Sequence, residues 1–190
     1  MIFVLRRGNR VIINEDALRQ QVGASLSLHE RVRFVRLEEM ALAAQLALAA
    51  SSTGLVGLTG QALSFVVFLR SVGSAMLEIV PRQMLASNSH AVFDFPRWAR
   101  LSRARYFRVV QADAPECVGK NFRLCGNIVA DEALLRALTL VVSGAQPQCS
   151  VTVRGWVCPK EAGEERTLSS PHIGRRRPLA LSTGVAASRR

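Results

Sequence analysis

The chain has 190 residues, 49% of them hydrophobic, and a formal net charge of +11. Those values allow one ordinary packed domain plus a tail, exclude a wholly disordered chain, and come with no internal repeats. The charge is almost entirely arginine, with Lys120 and Lys160 the only lysines. The arginines are spread along the chain without a helix-turn-helix, zinc-finger or RNP-type pattern, so charge alone does not make a nucleic-acid reader.

In chain order, Ile2 to Leu5 reads as a buried strand with Arg6 at its C-terminal end, where ligands bind in open α/β sheets. Asn14 is placed to cap a helix over Glu15 to Val22, with acidic Glu15 and Asp16 in its first turn. A strand over Arg33 to Leu37 and an alanine-rich helix over Glu38 to Ala50 follow. Leu55 to Leu58 is a short strand, apolar on both faces as a covered parallel strand should be. The turn Gly57-Leu58-Thr59-Gly60 leads into a helix carrying Ala62, Leu63, Val66, Val67 and Leu69. Gly73 ends that excursion, and Ala75 to Val80 is a second buried strand stopped by Pro81. Further on come a β-like run over Tyr106 to Val110, a loop flanked by Cys117 and Cys125, and a helix over Glu132 to Val142 capped by Asp131. Alternating strands and helices predict an α/β, Rossmann-like domain over residues 1–145, with a mostly parallel sheet and helices on both faces. Residues 146–190 collect Pro, Gly, Ser and basic residues, including Arg175, Arg176 and Arg177. They read as a basic, largely disordered tail with a strand over Val151 to Cys158.

No charged residue lies between Glu39 and Arg70, a span long enough to cross a bilayer. Its centre holds Ser51, Ser52, Thr53, Gly54, Gly57, Thr59 and Gly60, which break the helix a crossing requires. No membrane span is expected. Met1 to Leu5 is too short for the apolar region of a signal peptide before Arg6 and Arg7 interrupt it.

The candidate site gathers where strands end. A helix that starts straight after a strand, through glycines, points free N–H groups beyond the sheet edge, and phosphate is the usual ligand there. Thr59, Gly60, Gln61, Ala62 and Ser64 form that cradle, with the backbone N–H groups of Gln61, Ala62 and Leu63 and the Ser64 hydroxyl as donors. Arg6 and Arg10 are the polar candidates for holding phosphate, a bidentate task suited to guanidinium, and Arg7 faces elsewhere. Glu78 sits in an apolar run where an unpaired carboxylate is costly. It either reaches ribose or sugar hydroxyls or pairs with an arginine such as Arg6 or Arg10. Glu38 and Glu39 at a helix start are accounted for by the macrodipole, with a catalytic role for either as the alternative reading. His29, His90 and His172 are scattered and the cysteines lack zinc spacing, so no metal site is expected. Cys117 and Cys125 form a disulfide in an oxidising lumen and stay reduced in a cytosol. Phe95 and Trp98 read as a short helix packing its aromatics.

Gly57, Thr59, Gly60, Gln61, Leu63, the pair Phe68-Leu69, Gly73, Glu78-Ile79 and Pro81 follow an order and spacing that resembles the signature of glycosyltransferase family 61. Arg6, Arg10, Asn14 and Glu15 extend the resemblance upstream, and Gln45 matches a glutamine common on that family's helix. Thr59 stands where the family usually has histidine, and Gln61 where it has a small residue. The resemblance covers roughly residues 1–142 and implies the C-terminal, nucleotide-sugar-binding half of a GT-B-type enzyme. It implies sugar transfer from a donor, UDP-linked, to a hydroxyl of a glycan or glycoprotein, without a metal or other cofactor. The donor would contact Arg6, Arg10, Thr59, Gly60, Gln61, Ala62, Ser64 and Glu78, while the acceptor and a catalytic base come from another domain. It also implies a Golgi or ER lumen for a full-length eukaryotic enzyme, and a cytoplasmic setting otherwise. Thr59 favours the alternative of an inactive relative that keeps the fold for interactions, and the basic charge leaves a nucleic-acid-binding module as a third reading.

Overall fold

A computed structural model describes residues 1–70, 73–86, 91–121, 125–144, 150–152 and 155–157. Five strands, β1 (Ile2–Val4), β2 (Arg33–Val35), β3 (Gly54–Leu58), β4 (Ala75–Pro81) and β5 (Arg105–Gln111), form one sheet in the order β2-β1-β3-β4-β5. Every pairing is parallel, with Val4 opposite both Val35 and Gly57, and Glu78 opposite both Gly57 and Arg108. This is the α/β architecture expected, and it belongs to the doubly wound type whose strand order reverses between β1 and β3.

Parallel strands need crossovers, and these cover both faces. On one face, α1 (Glu15–Ala24) and α5 (Glu132–Val142) bury Leu18, Val22, Leu134 and Leu138 against Phe3, Leu77 and Ile79. On the other, the 3₁₀ helix Gln61–Phe68 and α4 (Ala91–Leu101) bury Leu63, Val66, Phe95 and Ala99 against Val4, Leu55 and Met76. The helix α2 (Leu42–Ala50) joins β2 to β3 and packs beside the 3₁₀ helix. The short α3 (Arg82–Ala86) follows β4. Phe95 and Trp98 meet edge to face, their ring centres 5.9 Å apart, as expected for a helix packing its aromatics.

Three local expectations are corrected. The helix expected over Glu38 to Ala50 is broken into a 3₁₀ turn, Leu37–Glu39, and α2. The Gln45 amide stabilises the break by donating to the carbonyls of Leu37 (2.9 Å) and Met40 (2.8 Å). The helix after Gly60 is 3₁₀ and not α; its run Phe65-Val66-Val67-Phe68 consists of β-branched and aromatic side chains that crowd the preceding turn of an α-helix. Asn14 precedes α1 without capping it, because its amide is used elsewhere. Asp131 does cap α5, accepting from the N–H groups of Ala133 and Leu134. Gly73 has a φ of 83° and closes the turn into β4 in the left-handed region.

The strands β6 (Ser150–Thr152) and β7 (Gly155–Val157) form an antiparallel pair, where a single strand over Val151 to Cys158 was expected. The rest of the basic tail, Cys149, Cys158, His90, His172 and the Arg175 to Arg177 cluster lie outside the described residues. No helix among the described residues is long and apolar enough to cross a membrane.

Leu77 sits in the central part of β4 with no exposed surface. Leu77→Ala should lower unfolding free energy by about 2–5 kcal/mol in chemical denaturation, the usual cost of a large-to-small change in a closed core.

Candidate functional site

Because all five strands run parallel, their C-terminal ends share one edge, and the order reverses there between β1 and β3, the point where doubly wound sheets form their ligand crevice. The loop after β1 brings Arg6 and Arg10 to it, and the turn after β3 brings Thr59 and Gly60. A Cβ placed on Gly60 would lie 2.7 Å from Arg6 Nη1 and 3.8 Å from Arg10 Nη1. Only glycine therefore leaves Arg6 where it is. Arg10 Nη1 donates to the Thr59 carbonyl at 3.2 Å, and Arg10 Nε is buried without a hydrogen-bond partner. Burial, and next the charge of Arg6, lower the Arg10 pKa from the ordinary arginine value.

Neither guanidinium has a carboxylate partner among the described residues, in contrast to the arginines around them. Arg7, which does face elsewhere, pairs with Glu39 at 2.6 Å, and its N–H donates to Glu38. Arg36 and Arg19 share Glu15, and Arg108 pairs with Glu78. Arg6 and Arg10 are both partly buried, side by side, and left as an uncompensated positive pair.

Backbone donors add to that charge. The N–H groups of Gln61 and Ala62 open the 3₁₀ helix and make no hydrogen bond among the described residues. The Leu63 N–H does not join them, because the tight 3₁₀ turn uses it on the Gly60 carbonyl at 3.0 Å. Ser64 is partly buried on the same helix, its hydroxyl unbonded to any described residue.

Thr59 and Glu78 are placed differently from the rim residues. Glu78 is fully buried beneath the turn. Its Oε1 accepts from the Thr59 hydroxyl at 2.8 Å, and its Oε2 accepts from the Tyr106 hydroxyl and from Arg108 Nη2 at 3.0 Å. Its arginine partner is therefore Arg108, directly opposite on β5, and not Arg6 or Arg10. Tyr106 and Arg108 escaped the sequence reading. Their signal was the two-residue spacing that puts them on one face of β5, beside a carboxylate that had to be paired.

The arginine loop is itself braced. Val11 N–H donates to the Asn127 side chain (3.1 Å), Ile13 N–H to the Ile128 carbonyl (3.0 Å), and Ile128 N–H to the Val11 carbonyl (3.0 Å). Asn14 clasps Ala130 with both halves of its amide, each bond 2.8 Å long. The partner segment follows directly after the Cys117–Cys125 disulfide in the chain. Arg10 sits inside this brace at φ 62°, a left-handed conformation that non-glycine residues rarely adopt.

No protein-family model matches the chain, and no curated protein matches it. No group of three or more His, Cys, Asp or Glu side chains gathers among the described residues.

Burial, and next the charge of Glu78, hold the Tyr106 phenol well above the usual tyrosine range. A raised native pKa means that the native state keeps the proton when the unfolded chain loses it. The contribution of Tyr106 to stability is therefore fully present below about pH 10, the unfolded value, and is lost as pH rises through the raised native value. Tyr106 is the only tyrosine, so phenolate absorbance reports on it alone. The folded protein should show no phenolate until it unfolds; a native transition near the ordinary value would contradict the buried network.

Proposed function

We propose that this chain is the donor-binding domain of a glycosyltransferase, of GT-B type, that takes a nucleotide-diphosphate sugar, UDP-linked, into the crevice between β1 and β3. The observation that carries the reading is the uncompensated pair of Arg6 and Arg10 over Gly60. Two like charges held together in a partly buried crevice repel each other, and an anion between them removes that repulsion. A diphosphate offers enough oxygens to engage two guanidiniums together with the open Gln61 and Ala62 N–H groups. In sugar transfer the bond from anomeric carbon to diphosphate oxygen breaks, and negative charge grows on the leaving diphosphate. Fixed cations and N–H groups aimed at that oxygen stabilise the growing charge without reorganising. The acceptor hydroxyl and the group that takes its proton belong to a second domain across the crevice.

A second reading, donor binding without turnover, draws on one observation. The Thr59 hydroxyl, at the edge of the crevice, is turned inward to Glu78 and offers no acid or base to a ligand.

Calorimetric titration with UDP tests the proposal. Saturable binding is expected, weakened about 10- to 100-fold by loss of either guanidinium, as for charge-assisted hydrogen bonds. The Arg6→Ala, Arg10→Ala double variant should show none. Arg10→Gly should keep its stability within about 1 kcal/mol, because glycine relieves the left-handed backbone, and still lose affinity. Equal binding by the wild-type and double variants, or none by the folded wild type, overturns the proposal.

A further inference from the structure

We infer that Glu78 is a positioning residue for the anion site, acting through Thr59 without touching ligand. The inference rests on the reading of Arg6 and Arg10 as an anion clamp. Thr59 connects Glu78 to that clamp, because it is held at two atoms and leaves a third free to act. Its N–H donates to the Ile79 carbonyl at 2.9 Å. Its hydroxyl proton goes to Glu78 Oε1 at 2.8 Å, with the Ile79 carbonyl also in reach at 3.2 Å. With both donors pinned inward, the Thr59 carbonyl accepts the Arg10 guanidinium at 3.2 Å. That carbonyl is the one hydrogen-bond acceptor found for Arg10 among the described residues, its Nε being unpartnered.

The direction of Glu78 is fixed in turn. Tyr106 and Arg108 both donate to Oε2, which leaves Oε1 for Thr59. Arg108 also settles an electrostatic problem. A lone carboxylate under the clamp would cancel part of the positive potential that an anion needs, and would itself be costly to bury. Paired with Arg108, whose side chain is 13% exposed, Glu78 supplies hydrogen-bonding direction while adding no net charge beneath the site. The route runs from β5 through β4 to the turn after β3 and out to Arg10, every step a hydrogen bond of 3.2 Å or less. A carboxylate acting only as a strand fastener needs no link to Thr59.

The test removes that link and leaves the Glu78–Arg108 pair in place. Thr59→Val deletes the hydroxyl at nearly constant shape, and Thr59→Ser restores it. Inorganic pyrophosphate is titrated into wild type, each Thr59 variant and the Arg6→Ala, Arg10→Ala double variant. The Arg10 guanidinium signal is followed by NMR in the ligand-free proteins. Wild type and Thr59→Ser should show a distinct, slowly rotating Arg10 guanidinium and equal affinity. In Thr59→Val, still folded by a cooperative melt, Arg10 should move like a solvent-exposed arginine and affinity should fall about tenfold. If pyrophosphate binds and Thr59→Val leaves affinity and the Arg10 signal unchanged, the clamp stands and the positioning role falls. If pyrophosphate fails to bind wild type, or binds the double variant equally, the clamp reading falls and the positioning role with it.

Discussion

Arg6 and Arg10 bring two positive charges to within 4 Å of a single point above Gly60. In isolation such a pair would be pushed apart by its own repulsion and by the loss of water around Arg10. The surrounding structure holds it together. The sheet order places the ends of β1 and β3 side by side, so residues more than forty positions apart in sequence share a rim. Gly60 then removes the one side chain that would fill the gap.

Two independent braces converge on the pair. From below, the Glu78 network orients Thr59 and thereby the carbonyl that holds Arg10. From the side, segment 127–130 grips residues 11–14 through backbone bonds and the two-pronged Asn14 amide. The disulfide closes the loop immediately before this segment, and in the chain-entropy account a closure of that size is worth about 2–3 kcal/mol. The left-handed backbone at Arg10 is the strained point between the braces, and strain of about 1–3 kcal/mol persists only where its surroundings over-determine it.

Much of the scaffold was legible in the residues. Short apolar runs from Ile2, Leu55 and Ala75, ended by Arg6, Thr59-Gly60 and Pro81-Arg82, mark covered parallel strands. Asp131 announces α5 because a carboxylate at that position satisfies helix N–H groups through a local contact. The errors arose where a distant partner overrode a local preference. Asn14 has the same capping chemistry, yet Ala130, far along the chain, offers both a donor and an acceptor and takes the amide. Glu78 was legible as a carboxylate needing a partner, but only strand register identifies Arg108, and only the folded sheet brings Tyr106 and Thr59 to it. The type of the helix after Gly60 was likewise hidden, and with it the loss of the Leu63 N–H as a free donor.

Arginine-specific dicarbonyl labelling, read by mass spectrometry with and without UDP, tests the clamp where it sits. The account predicts that UDP protects Arg6 and Arg10 together, while the exposed Arg97 and Arg100 label equally in both conditions. Labelling of Arg6 and Arg10 that is indifferent to UDP, or protection spread over all arginines alike, would contradict it.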